Sequence, residues 1–244
     1  MHPERPAYDP RVRSLDELLS DEPAWPLVQS WLTGATNEVR SLPVERTRGE
    51  RTLHLLQVTS RAPLGAVALE TGGLLADSGW LRVLGADGGE LERGLASWNG
   101  LAEGRRLIDG ALLVAHDAVG GFFALNGGAF AGEQGHVFYF APDTLDWLDL
   151  EMGYTDFLRW VCAGDLGRFY SELRWPGWEA ELSQARPDDG FHLYPPPFTE
   201  EGKPVDKAQR RLVPMSELWG WYQEFARQLA ALPEGARLRI KLTD

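Results

Sequence analysis

The stretch that most limits what this chain can fold into is "GALLVAHDAVGGFFALNGG" (110–128), followed by "HVFYFAP" (136–142). Two short apolar runs, 111–115 and 122–125, flank Gly120-Gly121, and Asn126-Gly127 follows the second run. The next run alternates around Phe138 and Phe140. Runs this short, separated by residue pairs that tolerate tight turns, predict an antiparallel meander over 110–142. The glycines read as turn residues. A phosphate cradle needs a helix opening directly behind its glycines, and neither "FFAL" nor "AFAGEQG" opens one.

Around the meander the period changes. "SLDELL" places Ser14 three residues before Glu17, a capping-box pattern that starts a helix. In "EPAWPLVQSWLTGA", Trp25, Val28, Trp31 and Leu32 share one helical face. "RTLHLLQVTS" (51–60) reads as a strand, and "GAVALETGGLLAD" and "GWLRVLG" read as further strands around a Gly72-Gly73 turn. "YTDFLRWVCAG" spaces Phe157, Leu158, Val161 and Cys162 as a helix does, and "SELWGWYQEFARQLAALPEG" is a final amphipathic helix. Residues 186–206 hold Pro187, Pro195, Pro196, Pro197 and Pro204 and read as a long loop. Residues 1–13 read as a flexible tail with three prolines, and 14–244 as a single domain. Strands in the middle and helices at the N- and C-terminal ends make an α+β fold on a central, mostly antiparallel, curved sheet.

The formal net charge of -12 disfavours nucleic acid and anionic membrane surfaces as partners and favours basic proteins. There is no apolar run of about 18 residues and no signal-like apolar segment near the start, which points to a cytoplasmic chain without a membrane span. Cys162 is the one cysteine, so no intramolecular disulfide forms; its apolar neighbours make it a small buried hydrophobe.

Catalytic motifs are absent from the sequence. It has no His-x-x-x-His, no cysteine pair and no Gly-x-Ser-x-Gly, so no metal, cofactor or catalytic residue is expected. His116, Asp117 and His136 mark an alternative reading. If neighbouring strands gather them, they would line a pocket for a small polar ligand or a hydrolase site. The more telling feature is charge. Between Arg106 and Arg159 there is no Lys or Arg, while Asp109, Asp117, Glu133, Asp143, Asp146, Asp149, Glu151 and Asp156 all fall there. A single-signed stretch on a rigid sheet steers an oppositely charged partner, and interleaved aromatics anchor interfaces. The residues expected to bind a partner are therefore Asp143, Asp146, Trp147, Asp149, Glu151 and Tyr154.

Two resemblances sharpen this. "GGFFALNGG…GHVFYFAPDTLDWLDLEMGYTDFLRWVCAGD" resembles the SUKH superfamily pattern of a sheet, an aromatic strand, a Trp-bearing loop and a following helix. Over about 14 to 232 the chain is similar to a bacterial family known as a domain of unknown function, through "SLDELL…PAWPLV", "LGAVALETGGLLADSGWLRVLG" and "FYSELRWPGWE". The SUKH resemblance implies an α+β fold and non-enzymatic protein binding, often as immunity proteins against secreted toxins. The leading expectation is thus a cytoplasmic binding module for a basic protein, a toxin in the immunity-like case. Self-association through tryptophan-rich surface is a further reading.

Overall fold

The structure, a computed structural model, describes residues 12–231. The tail read for 1–13 lies outside the described residues except for its last two positions. The fold is α+β. A seven-stranded sheet follows the order of the sequence, β1 (Val39–Ser41), β2 (Gly73–Ala76), β3 (Leu81–Leu84), β4 (Ala111–Asp117), β5 (Phe122–Asn126), β6 (His136–Phe140) and β7 (Trp147–Gly153). Every neighbouring pair is antiparallel and the sheet is open, with β1 and β7 at its edges. The meander read from the sequence is β4 to β6, and β7 extends it by one strand.

Helices α1 (Leu15–Leu18) and α2 (Trp25–Thr33) precede β1, α3 (Arg46–Leu56) and α4 (Pro63–Glu70) lie between β1 and β2, and α5 (Leu95–Trp98) precedes β4. The capping box forms as its residues dictate: the Glu17 amide donates to Ser14 Oγ at 3.4 Å and the Ser14 amide to Glu17 Oε2 at 2.8 Å. After β7 come α6 (Tyr154–Ala163), α7 (Leu166–Phe169) and α8 (Trp178–Leu182). A second, two-stranded sheet of β8 (Asp189–Tyr194) and β9 (Gln209–Pro214) follows, then α9 (Met215–Ala230).

Four sequence readings are corrected. The stretch 51–60 is mostly helix α3, whose buried Gly49, Thr52 and Leu53 recur at helical spacing. The apolar run after it is helix α4, with Leu64 to Leu69 all buried. A helix buried on every side shows no amphipathic period, so it reads like a buried strand. Gly49 and Gly65 let these helices sit close: a Cβ on either would run into the carbonyl of Leu69 or of Thr59. The turn between β2 and β3 is Asp77–Gly79, all at positive φ, and Gly73 lies inside β2. Finally, the proline-rich segment 186–206 is not one loop. It contains β8, whose Phe191 and Leu193 are buried at alternate positions.

Strand partners directly opposite share a face. One face of the sheet carries Leu81, Val83, Ala115, Asp117, Phe123 and Tyr139. Helix α6 covers it, with Phe157 5.2 Å from Phe123 between ring centroids. The N-terminal helices join α6 there. Asn37 Nδ2 donates to the carbonyls of Val161 and Gly164 at 3.0 Å each, and the amides of Thr36 and Asn37 both donate to the carbonyl of Cys162. Cys162 is 4% exposed, the buried position read from its apolar neighbours, and burial pushes its thiol pKa up. The other face carries Arg82, His116, Phe122, Phe140 and Trp147. There α5 brings Trp98 to 5.8 Å from Phe122, and α9 brings Trp219 to 4.8 Å from the same ring.

The β4–β5 turn is the tightest point of the sheet. The Asp117 carboxylate accepts from the amides of Val119 at 3.0 Å and Gly121 at 2.8 Å, and from Tyr139 OH at 2.8 Å. A Cβ at Gly121 would overlap both that carboxylate and the Tyr139 hydroxyl. Gly121→Ala is therefore expected to lower stability by about 2–3 kcal/mol, the usual cost of forcing atoms into a packed site. Gly220→Ala, at an exposed position in α9 where an added Cβ meets nothing within 4 Å, should raise it by about 0.5–1 kcal/mol. Urea midpoints for the two variants check both signs; an unchanged midpoint for Gly121→Ala would show that the turn tolerates a Cβ.

Candidate functional site

The strand β7 is the sheet's far edge, and it gathers half of the expected partner-binding residues. Trp147, Asp149 and Glu151 lie on it, and Asp143 and Asp146 lie in the turn that leads into it. The Trp147 ring stacks on Phe130 at 4.5 Å between centroids and also meets Phe140 at 5.4 Å. It is half-buried and forms the outer end of an aromatic row on the α9 side of the sheet.

The edge is bulged. Phe138 pairs with Asp149, but His136 pairs with Gly153, so β7 advances further than β6 between the two pairs. Glu151 sits in that bulge at a φ of 53°, with its side chain exposed. Asp149 Oδ1 accepts from the Glu151 amide at 2.8 Å and lies 3.0 Å from His136 Nδ1. These contacts hold the Asp149 carboxyl below the usual carboxylate range, against the opposing effect of its desolvation. Glu133 approaches the other ring nitrogen of His136 at 3.5 Å.

The six expected residues are thus not equivalent. Asp143 is half-buried and pairs with Lys203 Nζ at 3.6 Å, a base contributed by the segment between β8 and β9. Tyr154 is buried at the start of α6, and burial pushes its hydroxyl pKa up; it belongs to the core. Asp146 and Glu151 are exposed, and neither has an ion-pair partner among the described residues. Leu148, between Trp147 and Asp149, is 48% exposed and was not among the expected residues. Its signal was in the sequence: "WLDLEM" alternates in the way of an edge strand, a pattern that its acids obscure.

The alternative set does not assemble. His116 and Asp117 are neighbours on β4, so their side chains point to opposite faces, and both are buried. His136 lies at the far end of β6 from Phe140, which is level with Phe122 and His116. Four residues of strand separate it from that level, about 13 Å. Among the described residues no group of three or more His, Cys, Asp or Glu is placed to hold a metal ion. His116 is a core side chain against Trp98 at 5.8 Å and Phe122 at 6.2 Å, opposite Arg82 in the strand pairing. Neither of its ring nitrogens has a hydrogen-bond partner among the described residues. Burial and then the charge of Arg82 push its pKa well below the ordinary imidazole range.

Comparison with known proteins places the chain. Residues 15–218 match the family described as "Protein of unknown function DUF2625". The chain is 39% identical over 209 residues to the uncharacterized protein YbfG of Escherichia coli (strain K12), covering 85% of this chain and 94% of that one. It is 35% identical over 207 residues to an uncharacterized protein of Haemophilus influenzae (strain ATCC 51907 / DSM 11121 / KW20 / Rd), covering 83% and 90%. No solved structure matches. The chain belongs to the DUF2625 family. No helix among the described residues is long and apolar enough to cross a membrane.

The neutral, buried His116 makes stability depend on pH. Its folded pKa lies below its unfolded value of about 6.5, so below that pH the unfolded chain binds the extra proton and stability falls. The slope from this group is at most about 1.4 kcal/mol per pH unit, and above about pH 6.5 it vanishes. His192, half-buried and beside Arg211, adds a slope of the same sign. His116→Leu should remove much of the loss between about pH 7 and about pH 5 while changing stability at neutral pH by less than about 1.5 kcal/mol, since no hydrogen bond is given up. Urea melts at the two pH values test this; an undiminished slope in the variant would place the titration elsewhere.

Proposed function

We propose that this member of the DUF2625 family is a non-enzymatic, cytoplasmic protein-binding module, and that it receives a basic, extended segment of its partner along the β7 edge. The observation that carries the reading is the composition of that edge. β7 ends the sheet, pairing only with β6 among the described residues. It presents half-exposed apolar side chains, Trp147 and Leu148, beside the exposed carboxylates of Asp146 and Glu151. An added strand gains main-chain hydrogen bonds from an edge of this kind, and its side chains set the specificity. Carboxylates flanking apolar positions select a strand that alternates apolar and cationic residues.

The same charges argue against a second copy of this chain as the occupant. Two β7 edges laid side by side would bring acidic residues against acidic residues, which costs stability. An immunity-like role, with a basic toxin as the partner, is the specific form suggested by the SUKH-like stretch 120–165. The acidic edge supports it through charge alone.

The test uses a labelled synthetic peptide of alternating Val and Lys and its counterpart of alternating Val and Glu. The Val-Lys peptide should bind in fluorescence anisotropy, weaken as salt is raised, and lose at least about tenfold in affinity when the protein carries Asp146→Lys and Glu151→Lys together. Both positions are exposed, so the fold should persist. Equal binding of the two peptides, or an affinity unmoved by the double reversal, would remove the electrostatic basis of the reading.

A further inference from the structure

We propose a second, separate binding site: a groove at the end of the β4–β5 hairpin, which takes an amphipathic anion, an apolar chain ending in a carboxylate or a comparable single negative head. The groove encloses about 350 Å³. That is within the range of sites that hold small organic ligands. Its walls are apolar and come from separate parts of the chain. Leu56 and Val58 stand at the C-terminal end of α3, and Leu112 and Leu125 face them as direct partners on β4 and β5. All four are half-buried, so each leaves surface for a ligand to cover.

The polar groups along the rim are already spent on one another. Asn126 Nδ2 donates to the carbonyls of Phe130 at 3.1 Å and Glu133 at 3.3 Å, and its Oδ1 accepts from the amides of Gly128 at 2.9 Å and Phe130 at 3.1 Å. The Gly127 amide donates to the Gly110 carbonyl, and the Gly135 amide to the Asn126 carbonyl, both at 2.7 Å. A polar uncharged ligand would surrender its hydrogen bonds to water and find few replacements here, which costs more than burial returns.

The charged group on the rim is unspent. Arg106 is the only ionisable residue lining the groove, it is exposed, and among the described residues it has neither an ion pair nor a hydrogen-bonded partner. Arg51, Arg105 and Arg168 also reach no carboxylate among the described residues, but Arg106 is the one of them that lines this groove. A guanidinium at the mouth of an apolar groove matches a planar anionic head on an apolar tail, since it bonds such a head through two parallel N–H groups. A single arginine with no helix N-terminus behind it is too little for a polyphosphate. The groove lies on the face of the sheet that carries Phe123 and Tyr139, opposite Trp147, so the inference does not rest on the partner-binding reading.

The experiment is isothermal titration of the full chain with sodium octanoate, decanoate and dodecanoate below their aggregation concentrations, with dodecanol and dodecyltrimethylammonium as controls. Saturable binding of one dodecanoate per chain is expected, tightening with tail length, and weaker for both controls. Arg106→Glu should reduce dodecanoate affinity by at least about tenfold. Leu112→Trp, which fills the groove from a half-buried position on β4, should abolish binding; Arg106→Glu serves where that variant fails to fold. Absence of saturable binding, an affinity unchanged in Arg106→Glu, or equal binding of the cationic control would overturn the assignment.

Discussion

The buried carboxylate of Asp117 sets the frame on which the rest of the molecule is assembled. It is fully buried, and desolvation raises its pKa, while the amide of Gly121, the hydroxyl of Tyr139 and the amide of Val119 pull it back by bonding the charged form. A buried carboxylate is costly unless its lone pairs are met, and here three donors, two from the same turn and one from β6, meet them. The turn they fix is then used by everything else. The Phe191 amide of β8 donates to the Ala118 carbonyl at 2.7 Å, and Tyr222 OH of α9 donates to the Val119 carbonyl at 3.2 Å. One five-residue turn therefore joins the large sheet, the second hairpin and the last helix.

A second buried charge completes that junction from the other side. Arg82 is fully buried on β3 and bonds the carbonyls of Gly79 at 2.9 Å and Asp189 at 2.5 Å, so its guanidinium ties β3 to the first residue of β8. Burial pulls its pKa down to about 10, partly offset by the charges of Asp117, Asp188 and Asp189, so it stays cationic at neutral pH. With burial as the larger cause, it helps keep His116 neutral. A neutral imidazole beside a buried guanidinium avoids a second positive charge in the core. Around these groups the aromatic side chains supply the apolar area. The Trp80 ring lies 5.0 to 5.8 Å from Tyr170, Trp175 and Trp178, and the Arg174 guanidinium lies over it at 4.8 Å and bonds Asp77. Ten tryptophans in a chain of this length serve mainly to fill such clusters.

What the sequence discloses depends on whether the signal is local. The meander was legible because each turn announces itself within a few residues, at Gly120-Gly121 and at Asn126-Gly127. The helix α6 was legible because one of its faces is buried and another wet, so Phe157, Leu158, Val161 and Cys162 carry a period. Helix α4 was not, because Leu64 to Leu69 are all buried and leave no period to read. Strand β8 was hidden by the prolines on either side of it, at 187 and 195, though Phe191 and Leu193 alternate as a strand requires. The site divides in the same way. The acids of 143–151 were visible as a run, but a run cannot show that Lys203 arrives from elsewhere to pair Asp143, or that His136 crosses to Asp149. The groove at Arg106 was invisible because its walls come from 56–58, 106–112 and 125–135, which meet only once the sheet is built.

The two edges of the open sheet show how one device serves two ends. The edge β1 is three residues long and gives an incoming strand little to pair with. The edge β7 is seven residues long, and a strand of that length with exposed Leu148 would pair with almost any extended chain if it were flat and uncharged. Two features prevent this. The bulge that places Glu151 at positive φ breaks the regular row of hydrogen-bonding groups. The carboxylates of Asp146, Asp149 and Glu151 repel another acidic edge, above all a copy of this one. The carboxylates do not repel a cationic strand, and in the proposed reading such a strand pairs along the regular part of the edge ahead of the bulge, Trp147–Asp149. In the proposed reading, the charges that oppose pairing of the edge with its own copy are the same charges that select a cationic strand.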